Sequence, residues 1–130
     1  DDETINIADE GGAPVFSGEG DDTVAGGTSD DYINGEEGSD TLTGGAGADV
    51  FVFNQGGQND LMLDFDSGVD TLQLDNVFWE NYDNAQDLLN EHFSIQQNTI
   101  TLTFDTDVLV LNTDGTFTSQ DQEQFMLALA

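Results

Sequence analysis

Ser17-Gly-Glu-Gly-Asp-Asp-Thr-Val-Ala25, Gly26-Gly-Thr-Ser-Asp-Asp-Tyr-Ile-Asn34, Gly35-Glu-Glu-Gly-Ser-Asp-Thr-Leu-Thr43 and Gly44-Gly-Ala-Gly-Ala-Asp-Val-Phe-Val52 follow one another without a break. In each nine-residue unit the sixth place is Asp and the eighth is a large apolar residue. The glycine-rich first half predicts a turn, because glycine reaches positive φ without steric cost. The second half predicts a short strand whose central hydrophobe points to one side.

A period of nine predicts a coil rather than a hairpin meander, because each strand would be too short for useful antiparallel pairing. Two units would make one full turn of the coil, with parallel strands stacked on both sides of a thin core. Such units bury their apolar faces only against their neighbours. We therefore predict an all-β fold, a right-handed parallel β-roll. One side would stack Asp22, Asp40 and Asp60, and the other Asp31, Asp49 and Asp70.

The roll continues past the four regular units in a weaker form. Asp60 with Met62, and Asp70 with Leu72, keep the acid and the hydrophobe two residues apart. Both series shift by the same insertions, of two residues and then one, so we assign 17–74 to the roll.

Residues 1–16 are predicted as an N-terminal cap or a degenerate repeat. They contain a short alternating strand at Thr4–Ile7. Val15 lies in phase with the repeat, but Ala13 occupies its sixth place and offers no carboxylate.

The segment 75–130 changes character and is predicted as a small cap. The cap would hold a β-hairpin and one or two short helices, predicted from an aromatic cluster (76–82), a helix (83–92), a hairpin (99–111) and a capping box at Ser119 and Gln122. The aromatic side chains Phe78, Trp79 and Tyr82 would close the open end of the roll or, alternatively, form a patch that contacts a ligand.

The charge balance excludes several partners. The chain of 130 residues has 28 Asp and Glu and no Lys or Arg, a formal net charge of −28. Nucleic acid and anionic membranes are poor partners, because no basic side chain exists to meet them. There is no Cys for a disulfide or a thiolate metal site. The acidic start is unlike a signal peptide, and no apolar run reaches the ~20 residues of a transmembrane helix, so we expect no membrane insertion.

The turns predict a calcium site. Backbone carbonyls closed by a carboxylate offer only hard oxygen ligands, and Ca²⁺ takes six to eight of these in flexible geometry. An ion between two stacked turns would take an Asp from each, and glycines at places one, two and four would let the backbone close on it. The lone His92 has no Ser or Cys partner at a recognised spacing, and a thin coil implies no cleft, so we predict no enzymatic activity.

The repeat Gly-Gly-x-Gly-x-Asp-x-hydrophobe-x resembles the RTX (repeats-in-toxin) nonapeptide, which Gly44–Val52 matches in full. The segment from 47 to 74 resembles the end of the β-roll in serralysin-type secreted enzymes. The resemblance implies that Asp64 adds a ligand to the last site, with Asp66 an equally near candidate. The predicted metal residues are Asp22, Asp31, Asp40, Asp49, Asp60, Asp64, Asp70, Gly18, Gly20, Gly26, Gly27, Gly35, Gly38, Gly44, Gly45 and Gly47. Three units depart from the pattern, at Ser17, Ser29 and Glu36, and their turns are predicted to bind more weakly.

The resemblance also implies a function. RTX proteins leave Gram-negative bacteria unfolded through type I secretion machinery, by a C-terminal signal that would lie within 75–130, and fold outside the cell on calcium. We therefore expect a secreted module with four or five Ca²⁺ ions that supports the secretion and stability of a larger protein. An upstream catalytic or adhesive domain would be its partner. The alternative is a calcium-dependent polysaccharide-binding module, similar to the R-modules of alginate epimerases, or an adhesin module.

Overall fold

The computed structural model describes residues 1–7, 12, 14–56, 59–66 and 68–113. The predicted capping box at Ser119 and Gln122 lies outside these residues. The structure contains eleven strands and two short helices in the described part, in the chain order β1 (Thr4–Asn6), β2 (Pro14–Phe16), β3 (Thr23–Gly27), β4 (Tyr32–Asn34), β5 (Thr41–Gly45), β6 (Val50–Phe53), β7 (Asn59–Phe65), β8 (Thr71–Leu74), α1 (Asn76–Trp79), α2 (Ala85–His92), β9 (Phe93–Gln96), β10 (Thr99–Phe104) and β11 (Asp107–Thr113).

Alternate strands build two sheets. The long sheet has the order β1-β3-β5-β7-β11-β10-β9, and the short sheet has the order β2-β4-β6-β8. All neighbours among β1 to β8 pair in parallel, one coil apart. The predicted parallel β-roll, with two units to a coil, is therefore confirmed.

The register confirms that the two late units belong to the roll. Leu42 pairs with Met62 in the long sheet, and Phe51 pairs with Leu72 in the short sheet. These side chains are fully buried, at 0% exposure. A buried Leu or Phe contributes about 1.5–3 kcal/mol relative to an exposed one, so a stack of such residues holds consecutive coils together.

The coil begins before the four regular units. Ile5 of β1 pairs with Val24, and Val15 of β2 pairs with Ile33. The predicted strand at the N-terminus is thus present, and both early strands lie in the same parallel stack as the repeats that follow.

The hairpin of β10 and β11 joins the roll instead of standing apart from it. It is antiparallel, as predicted, but β11 also pairs in parallel with β7, with Leu111 opposite Met62. Strand β9, which the sequence did not reveal, adds a further antiparallel edge. The predicted turn at 105–107 is shorter than expected, because Asp107 begins β11.

The two helices cover the end of the core beside this hairpin. Asp75 caps α1 and Asn84 caps α2, where the Asn84 side chain accepts from the N–H of Asp87 at 3.0 Å. Phe78 of α1 stacks on Phe104 with ring centroids 4.3 Å apart, so the aromatic cluster closes the roll as predicted. None of the described helices is long and apolar enough to cross a membrane.

Candidate metal centre

The predicted aspartates form two columns at the two edges of the roll. The first column contains Asp22, Asp40 and Asp60, and the second contains Asp31, Asp49 and Asp70. Five of the six aspartates immediately precede a strand, and Asp60 is the second residue of β7. The parallel register places these strands side by side. The pairing of alternate units, rather than sequence neighbours, is therefore confirmed.

Within each column, one carboxylate oxygen holds the coil before it. Asp40 Oδ1 accepts from the backbone N–H of Asp22 at 2.9 Å, and Asp60 Oδ1 accepts from that of Asp40 at 3.0 Å. In the second column, Asp49 and Asp70 do the same, both at 2.9 Å. The repeat of acid and N–H thus forms a ladder that fixes the register of the turns.

The second oxygen of three of these carboxylates is left without a partner. Oδ2 is buried and makes no hydrogen bond in Asp22, Asp40 and Asp49. Each of these side chains is 1% exposed. A buried oxygen without a donor costs free energy, so an unpartnered one calls for an explanation such as a bound ion. Asp31 and Asp70 differ, since their Oδ2 atoms accept from the N–H groups of Gly27 and Asp66.

Burial disfavours the ionised form of these carboxyl groups. It raises the pKa of Asp40 and of Asp49 to about 6 and the pKa of Asp60 to about 7. The pKa of Asp70 is raised for the same reason. Hydrogen bonds from the backbone oppose the shift, and neighbouring carboxylates add to it. Without a cation the columns are therefore electrostatically unfavourable at neutral pH.

The glycine at the first place makes room for the unpartnered oxygen. A Cβ at Gly35 would collide with Oδ2 of Asp40, and one at Gly44 would collide with Oδ2 of Asp49. Gly26 has the same relation to Asp31, and there a Cβ would also meet the carbonyl oxygen of Gly44 in the next turn. Carboxylate and carbonyl oxygens thus converge on a space that only glycine leaves open.

The fourth-place glycines bring successive turns together. Gly38 has φ 134°, and a Cβ there would collide with the carbonyl of Gly20 one coil earlier. Gly47 has φ 119°, and its Cβ would lie on the carbonyl of Ser29. Of the other predicted glycines, Gly18 and Gly20 lie in the turn before β3. Gly27 and Gly45 are the last residues of β3 and β5, where they pair with each other.

Two of the departures from the repeat have local consequences. Ser17 stands at a first place, and its hydroxyl donates to the carbonyl of Gly35 at 2.8 Å. This carbonyl is equivalent to that of Gly44 beside Gly26, so Ser17 occupies the space that glycine leaves open in the other units. Glu36 adopts a left-handed φ of 67°, a conformation that usually favours glycine. The weaker binding predicted for these turns stays a prediction.

Asp64 and Asp66, which the sequence did not separate, have different positions. Asp64 reaches one coil back, where its two oxygens accept from the N–H groups of Gly44 at 2.9 Å and Gly45 at 2.7 Å. Asp66 shapes its own turn, because its Oδ1 accepts from the N–H of Gly68 at 2.9 Å. Only Asp64 contacts the turn of Asp49, so it is the better candidate for an added ligand.

Two further acidic residues extend the first column and were missed. Glu3 occupies the sixth place ahead of Asp22, whose Oδ1 accepts from the Glu3 N–H at 2.7 Å. Asp107, 6% exposed, accepts from the N–H of Gly56 at 3.1 Å through Oδ2 and repels Asp60. The sequence held a signal for Glu3, because Glu3 and Ile5 have the two-residue spacing of acid and hydrophobe. The signal was weak, because one extra residue between Glu3 and Asp22 breaks the eighteen-residue period of the coil. No sequence signal marks Asp107.

The donor set fits a calcium ion. In the described part of the chain, no group of three or more His, Cys, Asp or Glu side chains is placed to hold a metal ion by itself. A metal ion between the turns would therefore need backbone carbonyls beside the carboxylates. These are hard oxygen ligands, which suit Ca²⁺ rather than zinc, and the buried unpartnered Oδ2 atoms provide the anionic charge.

The family model of the RTX calcium-binding nonapeptide repeat, in four copies, matches residues 16–51. Among solved structures, the chain is similar to the AlgE6R2 subunit from the Azotobacter vinelandii mannuronan C5-epimerase, known in solution. The TM-score is 0.72 at 23% identity, over 98% of this chain and 86% of that one. At this identity the likeness shows the fold alone. No curated protein matches the chain at a significant level.

Proposed function

Because residues 16–51 are an array of RTX calcium-binding nonapeptide repeats, we propose that this chain is a calcium-triggered folding module of a larger exported protein. The observation that carries the proposal is the buried, unpartnered Oδ2 of Asp22, Asp40 and Asp49. In the last two of these aspartates, the oxygen lies against a glycine that leaves no room for a side chain.

The ions would lie between consecutive turns of each column. In the second column, Asp31 and Asp49 would hold one ion together with the carbonyl of Gly44, and Asp49 and Asp70 would hold the next, with Asp64 beside it. The first column would hold ions between Asp22 and Asp40 and between Asp40 and Asp60. With the end of a column included, this gives four or five ions.

Calcium would supply part of the free energy of folding. The chain carries a net charge of −28 with no Lys or Arg, and each Ca²⁺ cancels about two charges. An unfolded chain holds no preformed turn, so the ions bind the folded state and stabilise it by mass action. A site shared between turns also couples one coil to the next, which makes the transition cooperative.

This dependence on calcium would suit secretion. The affinities of extracellular calcium modules, about 10⁻⁴–10⁻³ M, keep such a chain unfolded inside a cell, where calcium is scarce, and folded outside. RTX repeats are typical of secreted proteins, so we assign the module to the extracellular side of a Gram-negative bacterium. Its partners would be the type I secretion machinery and an upstream domain of the parent protein.

A calcium titration tests the proposal. Far-UV circular dichroism and calorimetry, run on the same sample, would give the folding transition and the number of ions together. We expect a steep gain of β-structure with four or five ions bound, reversal by EDTA, and no comparable gain with Mg²⁺. Native β-structure that persists unchanged in EDTA at neutral pH would refute a calcium-triggered fold.

A further inference from the structure

A second ladder of side chains runs beside each column and is formed by the fifth place of the units. Asp21 Oδ1 accepts from the backbone N–H of Ser39 at 2.9 Å, and Asp30 Oδ1 accepts from that of Ala48 at 2.8 Å. Asp2 holds the N–H of Asp21 in the same way at 3.2 Å. The hydroxyl of Ser39 continues the series one coil later, where it accepts from Asn59 at 3.3 Å.

The two ladders run in opposite directions. A fifth-place side chain accepts from the coil that follows it, whereas a sixth-place Asp accepts from the coil before it. Asp21 therefore reaches forward to the turn of Asp40, while Asp40 reaches back to the N–H of Asp22. Where the fifth place offers an acceptor, the step between stacked turns is therefore held by hydrogen bonds in both directions, beside the sixth-place Asp.

The pattern of donors shows that the fifth-place bond depends on the side chain. Ala48 is the fifth-place residue of the last regular unit and has no acceptor to offer. The N–H that would face it, that of Val69, instead donates at 3.0 Å to the carbonyl of Asp66 in its own turn. The backbone N–H of a fifth-place residue thus bonds to the fifth-place side chain of the preceding coil where that side chain is an acceptor. Where it is not, the N–H bonds to a carbonyl within its own turn.

We propose that Asp21 and Asp30 are positioning residues that hold stacked turns at the separation and register an ion between them requires, without ligating it. This inference rests on the proposed calcium function. Both side chains are exposed, whereas Asp22 and Asp31 beside them are 1% and 4% exposed. Their Oδ1 atoms are already held by an N–H, in a charge-assisted bond that is about twice as strong as a neutral one.

Calcium titrations of the full chain test this role with three variants. Asp21→Ala removes the acceptor and Asp21→Asn keeps it without the charge. Glu19→Ala is the control, because it removes one exposed carboxylate from the same turn. We expect Asp21→Ala to raise the calcium midpoint on the order of tenfold, with a shallower transition and an unchanged number of ions. We expect Asp21→Asn, which keeps a neutral hydrogen bond, to stay closer to the wild type than Asp21→Ala does, and Glu19→Ala to change little.

Hydrogen exchange of the Ser39 N–H, measured in saturating calcium, should be protected in the wild type and in Asp21→Asn but fast in Asp21→Ala. The proposal is overturned if Asp21→Asn loses an ion, since Asp21 would then be a ligand, or if Asp21→Ala behaves like Glu19→Ala. If Asp21→Ala does not fold even in excess calcium, the Asp30→Ala and Asp30→Asn pair gives the same comparison at Ala48. A wild type that binds no calcium would instead refute the proposed function itself.

Discussion

Asp40 is the residue on which the first column depends most. It lies between Asp22 and Asp60, and its two oxygens have different tasks, one accepting from Asp22 and the other lying unpartnered against Gly35. Its isostere Asn would keep the first bond to the backbone while removing the charge from the second oxygen. A single substitution there therefore separates the hydrogen-bond ladder from metal binding.

We expect Asp40→Asn to bind at least one ion fewer and to raise the calcium midpoint on the order of tenfold or more, because two stacked sites share this carboxylate. Calorimetry would give the stoichiometry, and circular dichroism the midpoint. Glu37→Gln is the matched control, an exposed acid in the same turn. An unchanged stoichiometry and midpoint in Asp40→Asn would contradict the pairing of Asp22 with Asp40 around an ion.

Ser17 offers a gain of affinity at the same scale. Its hydroxyl donates to the carbonyl of Gly35, and Ser17 stands at the first place of the unit whose sixth place is Asp22, which has an unpartnered oxygen. Ser17→Gly would release that carbonyl to an ion and remove the Cβ from the site. The same change loses a hydrogen bond, about 1 kcal/mol, and adds freedom to the unfolded chain, about 0.5–1 kcal/mol.

Ser17→Gly should therefore lower the calcium midpoint while making the calcium-free chain less stable. The two effects have opposite signs, and urea unfolding at a series of calcium concentrations distinguishes them, because only the stabilisation by bound calcium grows with the calcium concentration. Ala46→Gly, at the exposed third place of the fourth unit, is the control for added backbone freedom. A stability that rises less steeply with calcium in Ser17→Gly than in the wild type would show that the hydroxyl itself serves as a ligand.

At the scale of elements, the repeating strands could be predicted from the sequence, but the strands that complete the end of the roll could not. Each coil contributes at least one inward hydrophobe to each sheet, and the shared insertions before Met62 and Leu72 kept both late strands recognisable. The pairing of β11 with β7 is different, because it joins segments about fifty residues apart. The sequence of β10 and β11 has the pattern of an ordinary hairpin. Local pattern carries no information on which edge a hairpin will join, so Asp107 beside Asp60 could not be foreseen.

The cap is held to the hairpin by a chain of hydrogen bonds around Tyr82. Its hydroxyl donates to Glu91 at 2.5 Å and contacts Nε2 of His92 at 2.7 Å. The other ring nitrogen of His92 reaches the carbonyl of Thr103 in β10 at 2.7 Å. The hydrogen bond to Glu91 raises the pKa of Tyr82. Helix α2 is thereby tied to the long sheet at its C-terminal end.

Tyr82→Phe should destabilise the calcium-bound form slightly, because it removes the hydrogen bonds to Glu91 and His92 while water can replace the hydroxyl at the exposed Glu91. The loss should be confined to the cap, so the calcium midpoint changes little. Urea unfolding gives the stability, and hydrogen exchange in α2 locates the effect. Tyr32→Phe, on the outer face of the short sheet, is the control. Equal stability of the two variants would show that the hydroxyl contributes nothing to docking of α2.

For the whole molecule, the acidic columns predict opposite effects of pH on the calcium-free fold and on calcium binding. In the fold without calcium, burial raises the pKa of Asp40 and Asp49 from 3.8 to about 6, and that of Asp60 to about 7. A carboxyl whose pKa is higher in the folded state binds its proton more tightly there than in the unfolded chain. Its contribution to stability is complete below about pH 4 and is lost as the pH rises through 6 to 7.

We therefore expect the calcium-free chain to show more β-structure by circular dichroism at pH 5 than at pH 8. Calcium affinity should rise across the same interval, because the ion displaces the protons of these carboxyls, and calorimetry in buffers of different ionisation enthalpy would count the protons released. In Asp60→Asn, the loss of β-structure in the calcium-free chain should become smaller near pH 7 and stay unchanged near pH 6. A calcium-free fold that gains structure between pH 5 and 8 would mean that the columns are neutralised by something other than protons or calcium.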